Sequence, residues 1–217
     1  MIAVEHLGWF MVSGVVLNLT PGPDVLFIVS QTMRAGVRHG MVAALGITAG
    51  CFVHVAAAAL GVGALLAASA TAFNVLKWVG AAYLAWTGAR LLFRSTAQPL
   101  VVLPPDGRAV QPPALRTVFW RGFATNVLNP KVVLFFLAFV PQFIAPDAAH
   151  PALTFVGLGV LFNFNALLVC LGWALAAAWL SGHVTRVRQA LDWLDRAAGV
   201  LFMGFGVKLA LSDVPVR

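Results

Sequence analysis

The sequence predicts an all-α membrane protein with six transmembrane helices, arranged as two inverted three-helix repeats in which helices 1 and 4 are broken. Three observations predict this fold class: an excess of apolar residues, six long apolar stretches, and a similarity between the two halves of the chain. Of the 217 residues, 61% are hydrophobic and 10% are charged, whereas a soluble domain carries about 25% charged residues. A chain with so few charged residues is expected to lie in lipid.

Six apolar stretches are long enough to cross a bilayer, which takes roughly 20 residues in a helix. They cover about residues 7–33, 40–67, 72–93, 118–144, 153–181 and 193–211. Glu5 and the lack of a basic residue before the first stretch indicate a membrane helix and not a cleavable signal. We expect a single membrane domain over 1–217, with one repeat at about 1–94, a proline-rich cytoplasmic linker at about 95–117 and a second repeat at about 118–217.

Basic residues are distributed unevenly over the connections between these stretches. Ten arginines lie in or beside the first, third and fifth connections: Arg34, Arg38, Arg90, Arg94, Arg108, Arg116, Arg121, Arg186, Arg188 and Arg196. The opposite side has three basic residues, Lys77, Lys208 and Arg217. Because basic residues favour the cytoplasmic side, both termini are predicted to lie outside the cytoplasm. The net charge of +7 is therefore interpreted as a topology signal and not as a sign of nucleic-acid binding.

The two halves of the chain share a pattern around a proline. A glycine is followed four residues later by an asparagine, then by a proline, a charged residue and an aliphatic run that ends in phenylalanine. These residues are Gly14, Asn18, Pro21, Asp24 and Phe27 in the first half, and Gly122, Asn126, Pro130, Lys131 and Phe135 in the second. Each half holds three predicted spans, so the copies would be inverted across the membrane, as in many secondary transporters.

Prolines interrupt the first and the fourth predicted spans. A proline inside a helix lacks an N–H group and clashes with the carbonyl four residues before it. Pro21 and Pro23 therefore release the carbonyls of Leu17 and Leu19, and Pro130 releases the carbonyl of Asn126. Lipid cannot bond these carbonyls, so they are expected to face protein or a water-filled cavity.

Each break also has the pattern of a helix start, followed by a charge. Thr20 and Asn129 are the candidate N-caps, and Gly22 belongs to the first break. Asp24 suits a helix N-terminus, which carries partial positive charge, whereas Lys131 does not. Because charges inside a membrane are costly and mark functional sites, Asp24 and Lys131 are the leading site candidates, and Lys131 is expected to have an anion nearby.

A zwitterionic amino acid would fit this pair of breaks. Its carboxylate would lie near Lys131 and the half-helix N-termini, and its ammonium near Asp24 and the released carbonyls. The alternative is a permanent Asp24–Lys131 ion pair that only joins the two halves. The two arrangements are compatible if they occur in different states.

Four further polar residues lie in the predicted spans. His54 is a candidate proton relay, since the pKa of a histidine lies near neutrality, or a hydrogen-bonded packing residue. Gln142, Asn163 and Asn165 are candidates for lining a cavity or for hydrogen bonds between helices.

In these motifs the chain resembles the LysE/RhtB family of amino-acid exporters. The matching segments are Leu19-Thr-Pro-Gly-Pro-Asp24, Gly36-Val-Arg-His-Gly40, Gly46-Ile-Thr-Ala-Gly50 with His54, Gly80-Ala-Ala-Tyr-Leu84, Asn126-Val-Leu-Asn-Pro-Lys131 and Pro141-Gln142-Phe143. The resemblance covers nearly the whole chain except the proline-rich connection. It implies a six-span secondary exporter of amino acids or their analogues, with proton antiport as the energy source and a homodimer as a common assembly.

Motifs of enzymes are missing from the sequence. It has no metal-ligand spacing, no phosphate-binding Gly-Lys-Ser/Thr loop and no nucleophile elbow, so neither catalysis nor a cofactor is expected. Cys51 and Cys170 lie within apolar stretches and are interpreted as small buried hydrophobic residues. A passive channel and a membrane scaffold that transports nothing are the competing hypotheses. The direction of transport depends on gradients and not on the sequence.

Overall fold

The polypeptide is all-α in a computed structural model that describes residues 7–68, 70–93, 111–145 and 148–180, together with 193, 196–197, 199–204, 206–207 and 210–211. Most of the predicted linker lies outside the described residues, and so do Arg94, Arg108, Arg186 and Arg188. The predicted orientation in the membrane therefore stays a prediction.

The first predicted span is a bent pair of helices. Helix α1 covers Leu7–Leu19 and α2 covers Pro23–Ala35, and their axes differ by 49°. Helix α2 ends where Gly36 takes a φ of 86°, which favours glycine, and the Gly36 N–H donates to the carbonyl of Thr32 at 2.8 Å. Helix α3, Val37–Ala68, begins at the next residue, so α2 and α3 form a hairpin with almost no loop.

The fourth predicted span is bent as well, and it does not stay α-helical. Helix α4 covers Ala70–Phe93 and comes before this span. The span itself begins with α5, which covers Leu115–Val127, and continues after the break with α6, which covers Pro130–Leu134. A π-helical turn at Phe135–Phe139 and a 3-10 turn at Val140–Phe143 continue α6. The axis of α5 and the axis of the segment after the break form an angle of 47°. Helix α7 covers Pro151–Trp179, and the described residues of 193–211 are helical.

Among the described residues, up to four segments are long and apolar enough to cross a membrane. The segments Val37–Gly61 and Pro151–Trp179 are long enough as single helices, and each of the two bent pairs is long enough when it is counted as one span. Helix α4 occupies the third predicted span at Ala70–Phe93. The chain is therefore a helical membrane protein, while the count of six spans and the inverted repeat stay predictions.

Helices α3 and α5 run parallel and touch backbone to backbone. A Cβ atom added at Gly46 would clash with the carbonyl of Phe119, and one added at Gly50 would lie 2.6 Å from the carbonyl of Phe123. Helix α5 also has a glycine at this contact, because a Cβ at Gly122 would lie 2.7 Å from the carbonyl of Ala43 in α3. This close contact sets the distance between the central helix α3 and the second break.

Replacing Gly46 by leucine is expected to destabilise the protein by about 3 kcal/mol, the upper end for overpacking, since a backbone carbonyl cannot move aside as a side chain would. The midpoint of thermal unfolding in detergent, followed by size-exclusion chromatography, measures the effect. Gly172→Leu is the matched control, because a Cβ at Gly172 meets no atom within 4 Å. Equal unfolding midpoints for the two variants would contradict the close α3–α5 contact.

Phenylalanines fill the core on one side of the two breaks. The ring of Phe135 lies 4.6 Å from that of Phe162, and the ring of Phe10 lies 5.3 Å from that of Phe143, measured between centroids. The buried rings of this cluster are those of Phe10, Phe135, Phe136, Phe139, Phe143, Phe155, Phe162 and Phe202. They pack the second half of the fourth span against α1 and α7 and leave polar groups concentrated at the breaks.

Candidate functional site

The first break ends α1 and starts α2 without a side-chain cap on α2. Thr20 was predicted to cap α2, and this is wrong: its buried hydroxyl donates to the carbonyl of Val16, at 2.6 Å, in α1. Gly22 takes the N-cap position of α2 and contributes no side-chain hydrogen bond. Pro23 is the first residue of α2 and is exposed, while Pro21 is buried between the two helices.

The second break is capped as predicted. The Asn129 side chain accepts from the N–H of Lys131 at 3.1 Å, and the exposed Pro130 stands at the first helical position. The Asn126 carbonyl, which Pro130 was expected to release, accepts from Nε2 of His54 at 3.0 Å. Since a carbonyl only accepts, Nε2 of His54 carries the proton in this contact. His54 thus ties α3 to the second break.

Lys131 reaches across to the first break. Its ammonium donates to the carbonyls of Leu17, at 2.9 Å, and Thr20, at 3.2 Å. These carbonyls form the C-terminal end of α1, which carries partial negative charge. Lys131 is therefore poorly placed for its own helix and well placed for α1. A Cβ atom at Gly22 would lie 3.4 Å from the Lys131 ammonium, which is van der Waals contact, so the ammonium lies beside this glycine.

Asp24 makes the reverse contact with the second break. Its Oδ2 atom accepts from the side-chain amides of Asn126 and Asn129, each at 3.0 Å. The charge of each break is thus held by polar groups of the other break. We call these hydrogen bonds of Asp24 and Lys131 the crossed contacts. They join the two halves of the chain, and Lys131 also attracts Asp24 through its charge.

A small cavity lies between the breaks and helices α3 and α7. Its volume is about 20 Å³, which is room for about one water molecule and far too little for an amino acid. Its walls are Leu17, Asn18, Asp24, Val25, Ile47, Thr48, Cys51, Asn126, Lys131, Val132, Phe162, Asn163, Ala166 and Cys170. A solute that binds here has to widen the cavity.

Four of these lining residues have a buried polar atom that makes no hydrogen bond to the described part of the chain. They are Asn18 Nδ2, Asp24 Oδ1, Asn126 Oδ1 and Asn163 Oδ1. One is a donor and three are acceptors. Buried polar atoms in proteins are almost always hydrogen-bonded, so such a group indicates a binding site for a polar partner.

The structure brings most of the predicted site residues together. Asp24, Asn126, Lys131 and Asn163 line the cavity, while Thr20, Pro21, Gly22, Pro23, Asn129 and Pro130 build the two breaks beside it. Gln142 and Asn165 do not line the cavity, and the Gln142 amide donates to the carbonyl of Ala138 at 2.7 Å in its own span.

Among the cavity-lining residues that were not predicted from the sequence, four have a polar or sulfur-containing side chain: Asn18, Thr48, Cys51 and Cys170. A signal for Asn18 was present, because it matches Asn126 in the pattern that the two halves share. Thr48 lies within a matched family segment between Gly46 and Gly50. No comparable signal exists for the two cysteines, whose apolar surroundings resemble those of any core residue.

Broken membrane helices that enclose an acid, a base and unpaired polar atoms are typical of integral membrane transporters. A family model described as LysE type translocator matches residues 15–213, and the chain belongs to that family. It is therefore a translocator and not an enzyme.

Three relatives span almost the same length. An uncharacterized membrane protein of Vibrio cholerae is 33% identical over 203 residues, which cover 94% of this chain and 95% of the relative. A homoserine/homoserine lactone efflux protein of Salmonella typhimurium is 30% identical, over 93% of this chain and 95% of the relative. A leucine efflux protein of Salmonella choleraesuis is 27% identical, over 93% of this chain and 92% of the relative. No solved structure matches the chain with significant similarity.

Proposed function

We propose that the protein exports amino acids or related small zwitterions across the bacterial inner membrane, in exchange for protons. The observation that supports this most directly is the cavity between the breaks, where Asp24 and Lys131 lie beside unpaired donor and acceptor atoms. A zwitterion presents a cation and an anion a few bonds apart, which matches an acid and a base that share one small chamber. The names of the leucine and homoserine relatives agree with such a substrate.

The substrate binds beside the crossed contacts and displaces those made by Lys131. Its ammonium approaches Oδ1 of Asp24 and Oδ1 of Asn126, which are acceptors without a described partner. Its carboxylate approaches the Lys131 ammonium and Nδ2 of Asn18. As the carboxylate draws Lys131 away from the Leu17 carbonyl, the two halves lose part of what holds them together, and the cavity widens. Helix α6 is only five residues long, so we assign no binding role to its dipole.

Asp24 is also the group that couples export to protons. Among the described residues that line the cavity, it is the only carboxylate. A carboxylate holds either a proton or the substrate ammonium, and this competition is what an antiporter needs. His54 donates to a backbone carbonyl, and we assign it the positioning of the second break in preference to proton relay. Both termini outside the cytoplasm, contact with lipid and a homodimer complete the proposal.

Transport by the purified protein in proteoliposomes tests this proposal. We expect counterflow of an amino acid that saturates with concentration and that a pH gradient accelerates. The only two cysteines of the chain, Cys51 and Cys170, are buried in the cavity wall. A small thiol reagent is therefore expected to stop counterflow, because the cavity opens during transport, and saturating substrate is expected to slow this inactivation.

The control is the variant Cys51→Ala/Cys170→Ala, which should transport in the presence of the reagent. A flux that does not saturate and ignores the pH gradient would favour a passive channel. A protein that moves no amino acid from a broad panel would favour a scaffold. Inactivation that substrate does not slow would place the transport path away from this cavity.

A further inference from the structure

Asn163 of α7 holds one polar atom in the cavity and uses the other to bond α3. Its Nδ2 donates to the carbonyl of Thr48 at 3.0 Å, and the residue is 3% exposed. Because a carbonyl accepts only, this bond fixes the orientation of the amide. Oδ1 of Asn163 is then an acceptor that makes no hydrogen bond to the described residues.

Asn163 belongs to a wall of the cavity that carries no charge. Helices α3 and α7 contribute seven residues to the lining: Ile47, Thr48, Cys51, Phe162, Asn163, Ala166 and Cys170. The Thr48 hydroxyl is directed into its own helix, where it donates to the carbonyls of Ala44 at 3.0 Å and Leu45 at 3.1 Å. The acid and the base come from the breaks on the other side of the cavity.

This division assigns the two ends of an amino acid. The ammonium and the carboxylate, common to all amino acids, go to the breaks, and the variable side chain faces α3 and α7. Lysine and arginine do not suit this wall, because it offers no counter-charge for a second cation. A short side chain is favoured by Phe162, Ile47 and the two cysteines, which leave little space around Asn163.

We propose that Asn163 is a specificity residue that selects amino acids with a hydroxyl on a short side chain. The hydroxyl donates to Oδ1 of Asn163, whereas a purely aliphatic side chain of the same shape leaves that oxygen unpaired. A site that hydrogen-bonds a hydroxyl rejects the analogue without one more strongly than an apolar pocket rejects a change of size. This inference rests on the proposed function and adds to it the chemical class of the substrate.

Isosteric pairs of amino acids test the assignment in the same proteoliposomes. The pairs are homoserine with norvaline and threonine with valine, each differing in a hydroxyl against a methyl group. For the unmodified protein we expect kcat/KM for counterflow to be about tenfold higher for the hydroxylated member, the effect of one buried hydrogen bond. In Asn163→Leu the ratio should fall to about one or invert, while the aliphatic members are still transported.

Asn165→Leu is the matched control, since Asn165 lies two residues further along α7 and does not line the cavity. Its substrate ratio should equal that of the unmodified protein. Equal rates for both members of each pair in the unmodified protein would overturn the assignment. So would an Asn163→Leu variant that loses all four substrates alike, because Oδ1 would then accept from the common ammonium. Failure of the proposed function itself looks different, since no amino acid would be exchanged by any variant.

Discussion

Replacing Asp24 by asparagine is expected to slow amino-acid export at least about 100-fold, because the cavity loses the negative charge that attracts the substrate ammonium. Asparagine has nearly the same shape as aspartate and keeps one oxygen. That oxygen can accept from Asn126 and Asn129 in the place of Oδ2. The folded state should therefore persist while transport is lost. The initial rate of counterflow, divided by the amount of folded protein, measures the effect.

Thr125→Val serves as the control for this experiment. The Thr125 hydroxyl donates to the carbonyl of Arg121, at 2.7 Å, within α5, and the residue does not line the cavity. The variant should export at the normal rate. If Asp24→Asn also exported normally, Asp24 would not bind substrate. If it failed to fold, the alternative of a permanent structural pair between the two halves would be favoured.

Replacing Lys131 by methionine is expected to destabilise the protein by about 3–5 kcal/mol and to abolish export. The ammonium of this buried residue donates to the carbonyls of Leu17 and Thr20, and methionine leaves both unpaired inside the membrane. It also leaves the Asp24 carboxylate without the attraction of a nearby cation. The midpoint of thermal unfolding and the counterflow rate give the two readouts.

The double variant Asp24→Asn/Lys131→Met separates folding from transport. With both charges gone, no buried charge is left uncompensated, so the unfolding midpoint should recover part of what Lys131→Met loses. Export should stay absent, because neither end of the zwitterion has a partner. Recovery of export together with stability would mean that the two charges serve the fold alone.

Much of the helical framework could be predicted from apolar stretches and prolines. The first span was expected at about 7–33 and is found as Leu7–Leu19 and Pro23–Ala35. The fifth was expected at about 153–181 and is found at Pro151–Trp179. Apolar length and a proline that breaks the hydrogen-bond ladder are local properties of the chain. Local properties also predicted the Asn129 cap, because the cap bonds a backbone N–H only two residues further on.

Contacts that depend on the tertiary arrangement were not predictable. The sequence showed that Lys131 conflicts with the start of its own helix, but not that its ammonium reaches the end of α1. Thr20 was predicted to cap the following helix and bonds the preceding one instead, and both bonds are locally possible for a threonine. The contribution of Cys51 and Cys170 to the α3–α7 wall was also hidden, since both resemble ordinary core residues until the helices are packed.

The small volume of the cavity also bears on the energy balance of the cell. An antiporter that stood open while empty would let ions leak through and run down the gradient that drives it. With room for about one water molecule and with both charges engaged by the crossed contacts, the resting protein offers ions no wide aqueous route through this cavity. Under the proposed mechanism, only a zwitterion that satisfies Asp24 and Lys131 together offsets the loss of those contacts, so an idle copy of the protein is expected to leave the membrane sealed.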